Sequence, residues 1–375
     1  MIKKMTAILI AALLLAGCSQ AELGYMALMS EVSQVKSMHI DGKLDISLNK
    51  ELAENTPALR EGIGCETVDM MAKLGNSAEL SYDGDVKITN NIVDANINLY
   101  FKPGAAQERQ YLCNIILKDN NWYLDTQGIV NIYILAMSLY PEAVSEHDSD
   151  FINEITGYDY VLMQSAPEEY FEGSQMSEAD AKEMQELVKE IFKGFETGLV
   201  RQVDDKYRLE LDMQKAIDCM ARGTSYLSDN SRFVFDTINK NRLAAEYGGI
   251  GDYETFADNL ENMEMYALAY KQSFKEELRH SESQLKDYAD SYGYAECGKT
   301  DGIYRLSSGF EGIYAGAGFC EIRSTVDITP KEVTIAAPAG TVLDMRVTND
   351  AVPYDRYNTV TADGVYEVEV YERAG

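Results

Sequence analysis

Histidine is scarce: His39, His147 and His280 are the whole complement. That thins the options for imidazole catalysis and for histidine-built zinc sites. Positive charge is scarce too, with 33 Lys and Arg against 62 Asp and Glu and a formal net charge of −29. So acidic a chain lacks the basic stripe that phosphate backbones require, and nucleic acid is excluded as a partner. No cysteines are spaced CxxC, which removes zinc ribbons and thioredoxin-type redox chemistry. G-x-S-x-G, H-E-x-x-H, Walker A and an S-x-x-K with β-lactamase-like partners are missing, and no cofactor motif replaces them. Gly248-Gly249-Ile250-Gly251 and Gly316-Ala317-Gly318 lack the full dinucleotide spacing and read as bends or bulges. What remains is an ordinary globular composition, 46% hydrophobic and 25% charged over 375 residues, enough for a substantial core.

The N-terminus carries the most specific signal. Lys3 and Lys4 precede an apolar run from Met5 to Ala16, too short to span a bilayer. Leu15-Ala16-Gly17-Cys18 follows and matches the bacterial lipobox, in which the thiol of Cys18 takes a diacylglycerol. Residues 1–17 are therefore expected to be a lipoprotein signal peptide. Their removal takes away two lysines and no acid, which brings the formal charge from −29 to −31. Acyl chains on Cys18 suffice for stable anchoring, while anionic headgroups repel the acidic body. No later apolar run approaches the length of a transmembrane helix. The expected location is extracytoplasmic, held to the bacterial membrane by lipid.

Five cysteines remain beyond the anchor, an odd number in a compartment that permits disulfides. Cys297 and Cys320 would close a 24-residue loop counted inclusively, and Cys65 with Cys113 is the next pairing. Cys219 sits in a helical pattern and is left over. The alternative is that all five are buried free thiols.

Hydrophobic periodicity organises the rest. Residues 21–36 read as a helix with Leu23, Met26, Met29 and Val32 near one face. Met38, Ile40, Gly42, Leu44, Ile46 and Leu48 alternate with polar residues, as in a strand with one buried face. A strand with Leu80 and Tyr82 is expected to turn at Asp83-Gly84. Ala95, Ile97, Leu99 and Phe101 form the next alternation, and residues 110–118 and 122–126 a hairpin. Residues 128–139, apolar nearly all round, predict a buried helix lying on that meander. Residues 119–181 contain no Lys or Arg but thirteen Asp or Glu, and their centre, 141–154, is expected to be an exposed loop. A strand at 158–163 precedes a capping-box signal at Ser177-Glu178-Ala179-Asp180, which opens a helix running to Gly198. Tyr207, Leu209, Leu211 and Met213 alternate in a strand. Helices follow from 214 to 290, with 263–270 open to a strand reading. Residues 302–309, 312–328, 332–337 and 365–371 are read as strands.

Lipobox, amphipathic helix, long alternating strand, hairpin meander ending in Trp122–Thr126 and apolar helix: this order resembles the LolA/LppX-like lipoprotein-carrier superfamily. The resemblance covers roughly 21–215 and 300–340, and rests on pattern rather than on a motif. It implies an α+β fold, a curved antiparallel β half-barrel covered by helices. Residues 18–340 would form that domain, with a helical insertion at about 214–290 and a C-terminal β extension at 341–375. It implies an apolar cavity for an acyl chain or another hydrophobic ligand, and supplies no catalytic residues. On the strand pattern, the lining would be Ile40, Leu44, Ile46, Leu80, Ile97, Leu99, Leu209 and Leu211, with helix 128–139, Met176 and Met184 as adaptable cover. The expected function is non-enzymatic binding of a hydrophobic or amphiphilic ligand. The alternative is an interaction module with a filled core that meets an envelope protein. A hydrolase acting on cell wall or sugar is a third, weaker expectation, since carboxylate pairs carry no weight among so many acids. His147-Asp148-Ser149-Asp150 offers oxygen ligands but lacks a calcium-loop pattern, so no metal is assigned.

Overall fold

The computed structural model describes residues 19–89, 92–104, 107–140, 146–165, 178–242, 251–280, 284–345, 354–360 and 366–372. In chain order, helix α1 (Gln20–Ser33) precedes strand β1 (Ser37–Leu48) and the short helices α2 (Lys50–Asn55), α3 (Pro57–Ile63) and α4 (Cys65–Lys73). Strands β2 (Ser77–Thr89), β3 (Ile92–Pro103), β4 (Gln110–Lys118) and β5 (Asn121–Asp125) follow. Next come α5 (Thr126–Leu139), α6 (Glu146–Ile155), β6 (Tyr160–Ser165), α7 (Glu178–Ile191), β7 (Val200–Val203) and β8 (Lys206–Asp212). The helices α8 (Met213–Asp229), α9 (Ser231–Lys240), α10 (Tyr253–Glu277) and α11 (Gln284–Tyr288) lead into β9 (Tyr292–Thr300), β10 (Ile303–Tyr314) and β11 (Ala317–Pro330). The chain ends with β12 (Val342–Asp344), β13 (Tyr354–Val360) and β14 (Tyr366–Glu372).

The fold class is α+β. Twelve strands hydrogen-bond in the order β12-β6-β5-β4-β3-β2-β1-β11-β10-β9-β8-β7, and β13 pairs with β14. The sheet is mixed rather than purely antiparallel, because β12 runs parallel to β6. The chain divides into two compact units. The first comprises residues up to 86, 100–110 and 169–333; the second comprises 87–99, 111–168 and everything from 334.

In the first unit, β1 pairs with β11 over its whole length, Met38 opposite Pro330 and Leu48 opposite Cys320. Gly42 permits this register locally: a Cβ there would lie 2.5 Å from the Tyr82 ring and 2.8 Å from the Thr325 carbonyl oxygen. The hairpins at Asp301-Gly302 and Ala315-Gly316 turn on left-handed pairs, which suit the right-handed twist of the flanking strands. The helices have their own core: Ile191, Phe192 and Phe195 pack with Leu227, Val234, Ile238 and Leu260. In the second unit, Asp119 and Asn120 supply the left-handed pair between β4 and β5. Ile155, Val161 and Leu343 form its buried cluster, flanked by Ile129, Phe151 and Ile152.

Several expectations change. Strand β2 passes straight through Asp83-Gly84, since neither residue adopts the positive φ a tight hairpin needs. The expected loop at 141–154 contains α6, whose last residue, Ile155, is buried. Helix α7 stops at Ile191, and Gly194 and Gly198 both take left-handed turns beyond it. Ser177, the proposed cap of that helix, lies outside the described residues. Residues 263–270 are helical, within α10. Residues 332–337 join no ladder, although Val333 and Ile335 are buried. Helix α5 forms but is not a buried helix: only Thr126 and Gly128 are buried in it. Helix α1 buries Glu22 and Leu28, while Leu23 faces solvent.

Glu22 is the exceptional residue of α1, a carboxylate only 2% exposed. Ser19 caps the helix by accepting from the Glu22 backbone N–H at 3.2 Å, and the Glu22 carboxylate takes the Ser19 N–H at 3.0 Å. Its other oxygen accepts the Thr197 hydroxyl and, at 3.0 Å, the Gly198 N–H. Arg222 donates to the Thr197 and Glu196 carbonyls behind that turn. A buried charge survives only when its lone pairs are used. Glu22→Ala strands three donors and is expected to lower the unfolding free energy by about 2–4 kcal/mol, read by urea denaturation. An unchanged midpoint would show that the clamp carries no stability.

Candidate functional site

The strand register of the first unit sorts β1, β11, β10, β9 and β8 into two faces of opposite character. On one face, Ile46, Ile322, Phe310, Gly293 and Leu211 follow one another across the strands. The adjacent row is Leu44, Ser324, Ser308, Ala295 and Leu209. Beyond it lies Gly42, Val326, Leu306, Cys297 and Tyr207. Strands in a sheet are about 4.8 Å apart, so β1 to β8 spans about 19 Å. On β11 and β10 the middle row sets Ser324 and Ser308 between bulkier side chains, a short trough bounded by Leu44 and Leu209.

Helix α1 covers one end of this face. Gly24 lies so close to the Tyr207 ring that a Cβ there would overlap it. The Tyr25 hydroxyl has its pKa raised by burial first and by nearby Cys297 second. Glu31 accepts from Lys299 at 2.7 Å and from Tyr304 at 3.3 Å, closing the same end with charge. Along β10 and β11 the cover gives out, from buried Tyr304 and Ile328 toward the other end of the strands. Phe310 and Ile322 are each 40% exposed, and Ser308 between the rows is exposed as well.

The eight expected lining residues divide between the units. Ile40, Leu44, Ile46, Leu80, Leu209 and Leu211 lie in the first, and the register joins all but Leu80 into the face just described. Tyr82, two residues from Leu80 on β2, lays its ring over Gly42. Ile97 and Leu99 lie on β3 in the second unit. All eight are half-buried; none reaches the burial of Ile328 or Tyr304. Phe310 and Ile322 were not anticipated. Their signal was present as Tyr304, Leu306, Ser308 and Phe310 against Ile322, Ser324, Val326 and Ile328, but the serines interrupt the alternation.

The opposite face is a ladder of charges. Arg305 holds Asp327 through two hydrogen bonds of 2.7 and 2.6 Å, and Arg208 reaches Glu296 at 2.7 Å. Tyr292 donates to Glu311 at 2.6 Å. Asp85 takes His39 at 2.8 Å and Lys331 at 3.0 Å; burial opposes its ionisation, but these two partners bring its pKa below the ordinary carboxylate value. A shallow pocket of about 270 Å³ opens mainly on this polar side, lined by Asp45, Glu79, Lys102, Glu321 and Arg323 among others. It is not the apolar cavity expected from the strand pattern.

Among the described residues, the five cysteines are free thiols. Cys297 lies on β9 and Cys320 on β11, with the whole of β10 between them. Two strand spacings, about 9–10 Å, exceed the reach of a disulfide. Cys65 is exposed on α4, and Cys113 is buried on β4, where its Cβ abuts Gly128. Cys219 is buried in α8. Cys18, Met176 and the side chains of Met184 and of residues 147–150 lie outside what the structure describes. Among the described residues, no three or more His, Cys, Asp or Glu side chains cluster to hold a metal ion. Nor, among them, is any helix long and apolar enough to cross a membrane.

Comparison with protein-family models, with curated proteins and with solved structures finds no match in any of the three.

Burial pushes the Cys297 thiol up to about 11, and burial with the nearby Asp125 charge does the same at Cys113. Alkylation at about pH 7.5 with peptide mapping is therefore expected to label Cys65 first and Cys113, Cys219 and Cys297 only after denaturation. Equal native labelling of Cys113 and Cys65 would overturn this. Because the folded-state thiol pKa values exceed the unfolded ones, their contribution to stability is complete below about pH 8.5 and is lost as pH rises toward 11.

Proposed function

We propose that this protein is an extracytoplasmic lipoprotein, anchored through Cys18, that binds a hydrophobic or amphiphilic ligand without catalysis. The observation that carries the reading is the exposure of Phe310 and Ile322 on the row shared with half-buried Ile46. Apolar side chains on the inner-patterned face of a sheet are normally covered; here the cover stops short of them. The trough of Ser324, Ser308 and Ala295 leaves width for a chain-like ligand, and the two hydroxyls suit a polar group along it. The carrier-type half-barrel belongs to this proposal, supported by the α+β class and the run of antiparallel neighbours.

A second reading is favoured by α10, where Met265, Tyr266 and Tyr270 are 53%, 68% and 56% exposed. Tyr266 and Tyr270 stand one helical turn apart, and such amphipathic rings suit a protein interface. Tyr270 lies off the buried side of the helix, which Leu260, Ala267 and Phe274 carry.

The deciding experiment purifies residues 19–375 natively and extracts them for lipid mass spectrometry. A stoichiometric amphiphile is expected, together with binding of a fluorescent fatty acid that weakens about tenfold in Phe310→Asp/Ile322→Asp. Because both side chains are already partly exposed, the melting temperature of that variant is expected to move by only a few degrees, about 2–4 °C. A ligand-free domain that binds no fatty acid would sink the proposal and favour the α10 patch. Separately, metabolic labelling with palmitate is expected to mark the full chain and to vanish in Cys18→Ser; persistent labelling would remove Cys18 as the anchor.

A further inference from the structure

Helix α5 presents a second, independent surface in the second unit. Its first turn is well held. Asp125 caps it, accepting from Gly128 N–H at 3.0 Å and from Asn114 N–H at 2.6 Å. Asn131 donates to the Tyr111 and Leu112 carbonyls on β4 at 3.0 and 3.2 Å. Past Gly128 no residue of the helix is buried. Ile134 is 59% exposed and Met137 44%, one turn apart on one side, with Ile132 also exposed on another. Residues 126–140 contain no charged side chain. A helix of this length is marginal in water without packing, and a contiguous exposed apolar surface marks an interaction site.

Charge identifies the occupant. Residues 119–168 and 334–345, which build most of this unit, contain no Lys or Arg. The nearest cation in sequence, Lys118, is already held by Asp94 at 2.7 Å and Asp119 at 3.3 Å. A second copy would bring the same acidic surroundings, and the chain as a whole carries −29. An anionic bilayer would be repelled in the same way. We infer that α5 is the docking site for a cationic amphipathic polypeptide segment. Its apolar face would cover Ile134 and Met137, and its Lys or Arg side chains would meet the acidic surround. This goes beyond ligand binding on the sheet and uses none of its residues.

The test uses residues 19–375 and three synthetic amphipathic helices of about fourteen residues, built from Leu/Lys, Leu/Gln or Leu/Glu. The Leu/Lys peptide is expected to bind at least about tenfold more tightly than the Leu/Gln peptide at low salt, and to weaken as salt rises to about 150 mM. The Leu/Glu peptide is expected not to bind. Hydrogen exchange of the wild-type complex should show new protection at the amides of 129–139. Ile134→Asp/Met137→Asp should lose binding by about tenfold or more, while Ile134→Leu/Met137→Leu keeps it. Should the aspartate variant fail to fold, the wild-type protection map decides alone. Leu/Lys binding without protection of α5 is general attraction to an acidic protein and overturns the inference. So does protection of α5 by phosphatidylglycerol vesicles but not by the peptide, or by self-association of the protein.

Discussion

The buried carboxylate of Glu22 is the constraint around which the first unit is arranged. An isolated carboxylate in that position would be far too costly, so four separate requirements must be met together. Ser19 must cap the helix, the helix must start where it does, Thr197 must turn its hydroxyl inward, and the chain at Gly198 must take a left-handed bend. Thr197 relays the demand further, since its hydroxyl also accepts from Leu199 N–H at 3.1 Å and its carbonyl is fixed by Arg222 on α8. Segments some 175 positions apart in sequence are thereby joined by one charged group. Helix α1 is then in place to cover the β8 and β9 end of the apolar face.

That partial cover explains how one sheet can carry a core and a surface on the same side. Under α1 one row ends in Cys297 and Tyr207, with Cys297 fully buried. Two rows further along the strands, Phe310 and Ile322 are exposed. The reverse side is polar, and its charges are matched in part: Arg305 faces Asp327 and Arg208 faces Glu296, while Asp41 stands opposite Asp327 and Glu311 opposite Glu321. Such half-exposed pairs contribute little stability individually. Their value lies in register: Arg305 opposite Asp327 and Arg208 opposite Glu296 leave opposite charges unmatched if β10 or β9 slips by one residue.

Much of this was legible in the residues alone. Period-two alternation located β1 and β8 nearly to the residue and the middle of β3, and the β4–β5 hairpin was legible around Asp119-Asn120. What alternation cannot report is whether a face is covered, and Ile46 and Ile328 look equivalent in a sequence while differing in burial. Strand β9 escaped notice because Gly293, Ala295 and Gly298 leave little apolar signal. Asp83-Gly84 misled because a turn needs a backbone conformation as well as a dipeptide. Glu22 leaves no signal in the sequence: the apolar stripe of α1 is Leu23, Met26, Met29 and Val32, and a buried acid has no hydrophobic period. Helix α5 is apolar in composition, but among the described residues its unit buries only its first turn and packs Ile129 against the Ile155 cluster.

The position of the Glu22 clamp also has a mechanical meaning. A tension entering the folded body at Ser19 meets, within one helical turn, a carboxylate fastened to the 197–198 bend. The load therefore passes sideways into α8 through Arg222 and Thr197 before it can reach β1. Strand β1 is a central strand, paired with β11 along its length, and peeling it from its end would break hydrogen bonds one at a time. With α1 clamped first, the chain must rupture several polar contacts at once before any unzipping can begin. Under the anchoring proposed at Cys18, the protein would thus be strained at its cap rather than along its sheet.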